Sequence, residues 1–392
     1  MLQRLAKTGV ACALHWTGAD KLIGVLRHSR HMPLVIGYHR VVEDFAASVE
    51  GYMPPMLISR RTLEHHLDWL GRRHRLLSLD ELGSRLESGE PFDKPTAVIT
   101  FDDGYADLYH HAFPLLKRKG IPAGIFVVTD LIGTARLQIY DKLYLLLTGC
   151  FSRWGSASQE LARLLTHLEV RLHHVGNMHS VARDPFTATR AIVTTLSQPE
   201  ICRMIEALET QVTIEEGERS ELHPLSWEMV VEMQRAGMTI GSHTKTHVLL
   251  PNERWERVLD ETASSRQALE RRLGTSINHF AYPDGRFNAA TVNWVAEAGY
   301  RFAYTTCLHR DPNYPLLTIP RKILWENACS DALGRFSSPL MSCEAHRVFS
   351  SVAKCRRDHG ERGLAGWKMA RPVAPSRSTS IARAEESTSH PG

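Results

Sequence analysis

Thr96-Ala97-Val98-Ile99-Thr100-Phe101-Asp102-Asp103-Gly104 is the stretch around which the rest of the chain is organised. Its first half is an apolar, β-branched run with the pattern of a buried strand, and Gly104 behind the two carboxylates releases the chain into a turn. Tyr105-Ala106-Asp107 then reads as the start of a helix. Successive side chains on a strand point to opposite faces, so adjacent aspartates at its end should diverge and can take two separate tasks. A single aspartate here could simply cap the helix by accepting backbone N–H bonds. Two in a row, at the carboxyl end of a strand, sit where α/β folds and β/α barrels gather their chemistry.

Outward from this stretch, strands and helices alternate. Residues 33–39 read as a buried strand, Ser59 as the N-cap of a helix through Leu63, Leu67 and Leu70, and Ser78-Leu79-Asp80-Glu81 as a capping box. A helix through Leu108, Leu115 and Leu116 runs to Gly120, followed by a strand over 121–128. Further strands are expected at 238–242, 277–282 and 301–305, with helices from Ser226 to Gly237, over 253–273 and over 291–298. Six or seven such units imply parallel α/β architecture, a distorted or incomplete (β/α)7 barrel. Between about 131 and 223 the strand signal is lost and only amphipathic helical patterns remain, so this region is a helical insertion. The expected organisation is an N-terminal helical, amphipathic segment over 1–32, the barrel over 33–337, and a largely disordered tail over 338–392. Residues 370–392 are rich in Ser, Arg, Pro and Glu.

Composition narrows the partners. A net charge of +4 over 392 residues, with the basic residues dispersed, argues against a nucleic-acid partner. The seven cysteines are scattered and form no C-x-x-C, which favours a reducing, cytoplasmic compartment over a disulfide framework. No apolar run reaches the about 18 residues of a transmembrane span, and the N-terminus makes a poor signal peptide. Residues 2–27 fit a basic amphipathic helix, which would either make peripheral contact with a membrane or pack on the domain. The oligomeric state is not legible.

Two more stretches carry chemistry. Gly241-Ser242-His243-Thr244-Lys245-Thr246-His247 follows a predicted strand, and two histidines four apart can face one side of a helical turn or bend. It is not the H-E-x-x-H of zinc proteases. A carboxylate with two imidazoles supplies three ligands and leaves positions open, the form of a catalytic metal site. Phe280-Ala281-Tyr282-Pro283-Asp284-Gly285 is again at a strand end, where Pro and Gly shape a turn whose backbone N–H groups can point into the barrel mouth.

Together these residues resemble the polysaccharide deacetylase family, the NodB-type enzymes of carbohydrate esterase family 4. Residues 100–104 match its T-F-D-D-G motif, 242–247 its H-x-x-x-H motif, and 280–285 a variant of its third motif. Tyr38-His39-Arg40-Val41 is similar to the Y-H-R-V stretch that opens one bacterial branch. The resemblance implies a metal-dependent hydrolase that removes N-acetyl groups from amino sugars of a polysaccharide, oligosaccharide or lipid-linked glycan. Asp103, His243 and His247 would hold a divalent metal, zinc or another ion, and Asp102 would be the base taking a proton from the metal-bound water. His39 would be the general acid, with His309 as a rival. Tyr282 and Asp284 would lie at the substrate and oxyanion side. Many members carry Arg in the third motif to hold the base; here that position is Ala281. Arg321 would then tether Asp102 from a later strand, with Arg286 a second choice. The missing arginine leaves an alternative open, a catalytically inactive carbohydrate-binding barrel.

Overall fold

The structure, a computed structural model, describes residues 2–27, 33–49, 51–172, 177–217 and 222–349. Among the described residues ten strands run in chain order: β1 (Leu34–Tyr38), β2 (Arg40–Val42), β3 (Leu57–Ser59), β4 (Arg75–Leu77), β5 (Thr96–Phe101), β6 (Ala123–Val127), β7 (Thr239–Ser242), β8 (His279–Ala281), β9 (Phe302–Thr305) and β10 (Ile319–Ile323). Seven of them close a parallel ring in the order β1-β5-β6-β7-β8-β9-β10, with β10 returning to β1. The fold is therefore a (β/α)7 barrel. β4 lies outside the ring, paired to the first half of β5 on the edge whose second half is taken by β6, as Leu76 opposite Ala97 and Ala123 opposite Ile99 record. β2 and β3 form a separate parallel pair.

Alternation along the strands sorts two cores. Val35, Val98, Phe126, Ala281, Tyr304 and Ile319 form one buried cluster inside the ring. Ile36, Ile99, Phe101, Ile125, Ile240 and Phe280 belong to the layer between the strands and the surrounding helices. On β5 this puts Val98 inward and Ile99 and Phe101 outward, and so fixes where the aspartates emerge.

Both N-caps read from sequence form, but the capping box at Ser78 is only half made, because the Glu81 carboxylate is taken by Arg75. Ser59 Oγ accepts from Thr62 N at the head of helix Arg60–Gly71, and Ser78 Oγ accepts from Glu81 N at the head of Leu79–Ser88. Gly89 and Gly120 end their helices in the left-handed region, where a side chain would be strained.

The insertion contains helices Ile139–Arg153, Ala157–His167, Met178–Val181, Pro185–Thr195 and Gln198–Glu209 around an apolar cluster of its own, including Leu143, Leu146, Leu161, Ile192 and Met204. It leaves the barrel at the carboxyl end of β6 and returns beside the first motif, where Ala106 N donates to His223 O and Leu225 N to Gly104 O, both at 2.8 Å.

The C-terminal region differs from expectation. The tail begins later than 338: Ser338–Ala345 is a helix, capped by Ser337 and burying Leu340, Met341 and Cys343. Its contacts are with residues far away in sequence, so local periodicity does not betray it. Residues 350–392, the rest of the expected tail, lie outside the described residues. The N-terminal segment is two helices, Leu2–Thr17 and Ala19–Arg27, separated at Gly18 (φ +73°).

Candidate active site

Asp102 and Asp103 follow β5 directly, both almost wholly buried, and their side chains diverge. Asp102 continues the inward alternation. Arg321 of β10 holds it through two parallel hydrogen bonds, Nη1 to Oδ1 at 2.7 Å and Nη2 to Oδ2 at 2.8 Å, and a further bond runs from Nη1 to Thr100 Oγ1. Burial pushes the Asp102 carboxyl up, but the Arg321 guanidinium together with His243 and His39 outweighs it and leaves the group below the ordinary carboxylate range. Asp102 is an anion that cannot swing away.

Asp103 leaves the strand in the left-handed region (φ +73°), which turns its carboxylate toward the histidines. Oδ1 lies 3.5 Å from His243 Nε2 and 3.3 Å from His247 Nε2. Burial raises its pKa, and the opposing pull of His247, His39 and His243 brings it well below the ordinary value.

The two histidines stand on a bend after β7, not on a helix. Thr244 (φ +68°) and His247 (φ +63°) both take the left-handed conformation that non-glycine residues avoid. With Asp103 and Asp284 (φ +52°), four of the six described non-glycine residues of positive φ belong to the three motif turns. Such strain persists only where surroundings hold it. Here Glu261, wholly buried, accepts from Lys245 N (3.0 Å), Thr246 N (2.8 Å) and Thr246 Oγ1 (2.6 Å), and so clamps the chain between the two imidazoles.

These three residues suit a divalent ion. One ligand atom from each of Asp103, His243 and His247 lies within 4.8 Å of the others. His243 Nδ1 is engaged by Ala281 O at 2.7 Å, which fixes the proton on that nitrogen and leaves Nε2 as a lone-pair donor. Burial lowers the His243 pKa to about 4, so the ring is neutral at physiological pH, as a ligand must be. Both carboxylate oxygens of Asp103 are buried without a hydrogen bond. A buried anion left so is costly, and a cation is the partner that offsets it.

His39, at the end of β1, lies 4.0 Å from Asp102 Oδ2 through Nε2. His309 is not brought to this cluster; its ring stacks against Phe287 at 5.9 Å. Arg286 is also elsewhere, bonded to Asp284 Oδ2 and Thr194 O. Tyr282 is placed differently from expectation: strand alternation turns its ring outward, between Phe280 and Phe287 in the layer beneath the helices. Only its main chain stays at the rim. Asp284 keeps its place at the turn, with its carboxylate engaged by Arg190 (3.3 Å) and Arg286 (3.1 Å). Ala281 faces the barrel interior, where Arg321 enters from another strand.

Several residues of the site carry no motif. Gln138 donates to Asp103 O at 3.3 Å, and the Tyr140 ring rests 4.8 Å from that of His247. Tyr105 hydroxyl, bonded to Tyr140 hydroxyl, also donates to Asp141, whose carboxyl burial pushes up to about 7 despite that bond. The insertion thus supplies a wall to the metal-ligand cluster. The sequence signal for it was only position: a helix starting soon after a strand's carboxyl end.

The family model described as polysaccharide deacetylase matches residues 89–303. A poly-beta-1,6-N-acetyl-D-glucosamine N-deacetylase of Staphylococcus epidermidis is 30% identical over 126 residues, 30% of this chain and 43% of that one. The chain spans about half the length of the curated relatives it matches, 58% and 43% for the first two. Among solved structures, IcaB from Ammonifex degensii is 20% identical with a TM-score of 0.49, covering 81% of this chain and 97% of that one. A Streptococcus pyogenes deacetylase, PplD, solved with acetate, is 19% identical with a TM-score of 0.48, covering 76% and 93%.

Proposed function

This chain belongs to the polysaccharide deacetylase family, and from that premise we propose that it is a metal-dependent hydrolase releasing acetate from N-acetylated amino sugars of a glycan. The observation that carries the reading is the division of labour between adjacent aspartates: Asp103 faces two histidines, while Asp102 is held as an anion by Arg321. We further assign it to the branch that opens with Tyr38-His39-Arg40-Val41.

Asp103, His243 and His247 would hold the ion, zinc or another divalent metal, which when bound lowers the pKa of water toward ~7 and polarises a carbonyl as a Lewis acid. Asp102 accepts the proton of the attacking water. Arg321 keeps that carboxylate ionised and fixes its plane, and Thr100 Oγ1 holds the guanidinium in turn. His39, close to Asp102 and partly open to solvent, delivers the proton that the departing amine requires. The main-chain N–H of Asp284 stabilises the oxyanion, since Pro283 has none and that of Gly285 is donated to Tyr282 O at 2.8 Å, and the insertion limits which glycans reach it. What supports turnover rather than binding alone is Arg321, which occupies the role left vacant at Ala281.

The test is acetate release from chitooligosaccharides and from poly-β-1,6-N-acetylglucosamine by the purified protein, with and without chelator. Release abolished by chelation and restored by added metal is expected, and the preferred glycan identifies the substrate. Acetate release that persists in an Asp103→Ala/His243→Ala double variant overturns the assignment.

A further inference from the structure

The two N-terminal helices turn Lys7, His15 and Asp20 toward the protein and most of their large apolar side chains toward solvent. Lys7 bonds Glu344 at 2.8 Å, and Asp20, wholly buried, takes Ser342 Oγ at 2.6 Å and His15 Nδ1 at 3.0 Å. Small Ala11 packs on Leu340 and Cys343. Outward stand Leu5, Val10, Trp16, Leu22, Val25 and Leu26, six of the nine exposed large apolar side chains among the described residues. Trp16 is 85% exposed and Leu26 78%. Between them on the first helix the exposed positions are Ala6, Gly9, Ala13 and Thr17, so its outward side bears no charge other than Arg4.

A single exposed leucine needs no explanation. Six on two consecutive helices do, because an ordinary helix directs that side into the core and charges into water. The arrangement suits a helix lying in the plane of a lipid interface, with leucines among the acyl chains and tryptophan at headgroup level. No described helix is long and apolar enough to cross a membrane. The charges exposed beside the apolar side are Arg4 and Lys21, both basic, while the acidic Asp20 is buried. That complements anionic headgroups, whereas a second copy packed on the same face would bring like charges together.

We propose that the outward side of residues 4–26 is a membrane-interface anchor that seats this protein on an anionic lipid surface. The proposal is independent of the chemistry assigned to the barrel.

The test is co-sedimentation of the full chain with vesicles of phosphatidylcholine alone and of phosphatidylcholine mixed with phosphatidylglycerol. Wild type should sediment with the mixed vesicles. A Trp16→Ser/Leu22→Ser/Leu26→Ser variant, whose changes all lie in solvent and leave the fold intact, should partition at least about tenfold less. Arg4→Glu/Lys21→Glu should lose the preference for the anionic mixture. Wild type remaining in the supernatant overturns the proposal, whether it runs as monomer or dimer, and so does equal sedimentation by the triple variant. Hydrolysis of a soluble oligomer by the triple variant at the wild-type rate is expected, and its failure would bear on the barrel's chemistry, not on the anchor.

Discussion

Arg321 and Asp102, 219 positions apart, meet through two parallel hydrogen bonds of 2.7 and 2.8 Å inside the barrel. The pair is fully buried, so removing the cation leaves an uncompensated charge. Arg321→Met should destabilise the fold by about 3–5 kcal/mol, read by denaturant unfolding. Arg321→Lys keeps the charge but loses the planar fork. It should fold, bind metal in wild-type stoichiometry, and lose most of kcat with little change in KM. An unaltered kcat in Arg321→Lys would show that Asp102 needs no orientation.

Adjacent aspartates with different partners should fail in different ways. Asp102→Asn leaves Asp103, His243 and His247 in place, so metal content should be retained while turnover falls by about 10²–10⁴. Asp103→Asn removes the one anionic ligand and should lose metal together with activity. Elemental analysis beside acetate release separates the two. Equal metal loss in both variants would contradict the division.

The barrel and the three motif turns were legible because their signals are local: β-branched runs, Ser caps, and polar residues at strand ends. Strand β5 falls on the expected residues. Arg321 was also readable, as a cation on a strand when the usual position holds Ala281. Tyr282 was not, because its direction depends on where the alternation starts on β8. Nor were the π turns at Leu108–Ala112 and Asp260–Ser264, each inside a helix that reads as continuous, since an extra residue in a turn leaves composition unchanged. The wall supplied by Gln138 and Tyr140, and the helix Ser338–Ala345, rest on contacts between distant segments that no local pattern encodes.

Glu261 stands in one of those π turns and holds the main chain between two left-handed residues, Thr244 and His247. Its salt bridge to Arg257 at 3.0 Å keeps it in place. Without it the bend keeps the bonds from Gln198 Nε2 to Thr246 O, from Asp130 N to Lys245 O and from His247 N to Thr244 Oγ1, but the N–H groups of Lys245 and Thr246 lose their acceptor, and the His247 ring moves with its backbone. Glu261→Ala should weaken metal binding by about 10–100-fold, with activity partly recovered at high metal. Glu261→Gln retains one acceptor and should fall between. Wild-type metal affinity in Glu261→Ala would remove the residue from any positioning role.

His66 gives the fold a pH dependence away from the reaction. It is wholly buried, its Nδ1 lies 3.2 Å from Tyr38 hydroxyl, and its Nε2 has no partner among the described residues. Burial lowers its pKa to about 3, against about 6.5 in an unfolded chain. Between those values the unfolded chain binds a proton at this site that the folded one refuses. Stability is therefore greatest above pH about 6.5 and is lost as pH falls toward 3, by about 1.4 kcal/mol per unit. At pH 5 the loss from this one group is about 2 kcal/mol. His66→Asn retains an acceptor near Tyr38 but cannot titrate, so its unfolding free energy should fall less between pH 7 and pH 5, by about that amount. Parallel pH profiles for the variant and the wild type would mean that His66 is protonated in the folded protein.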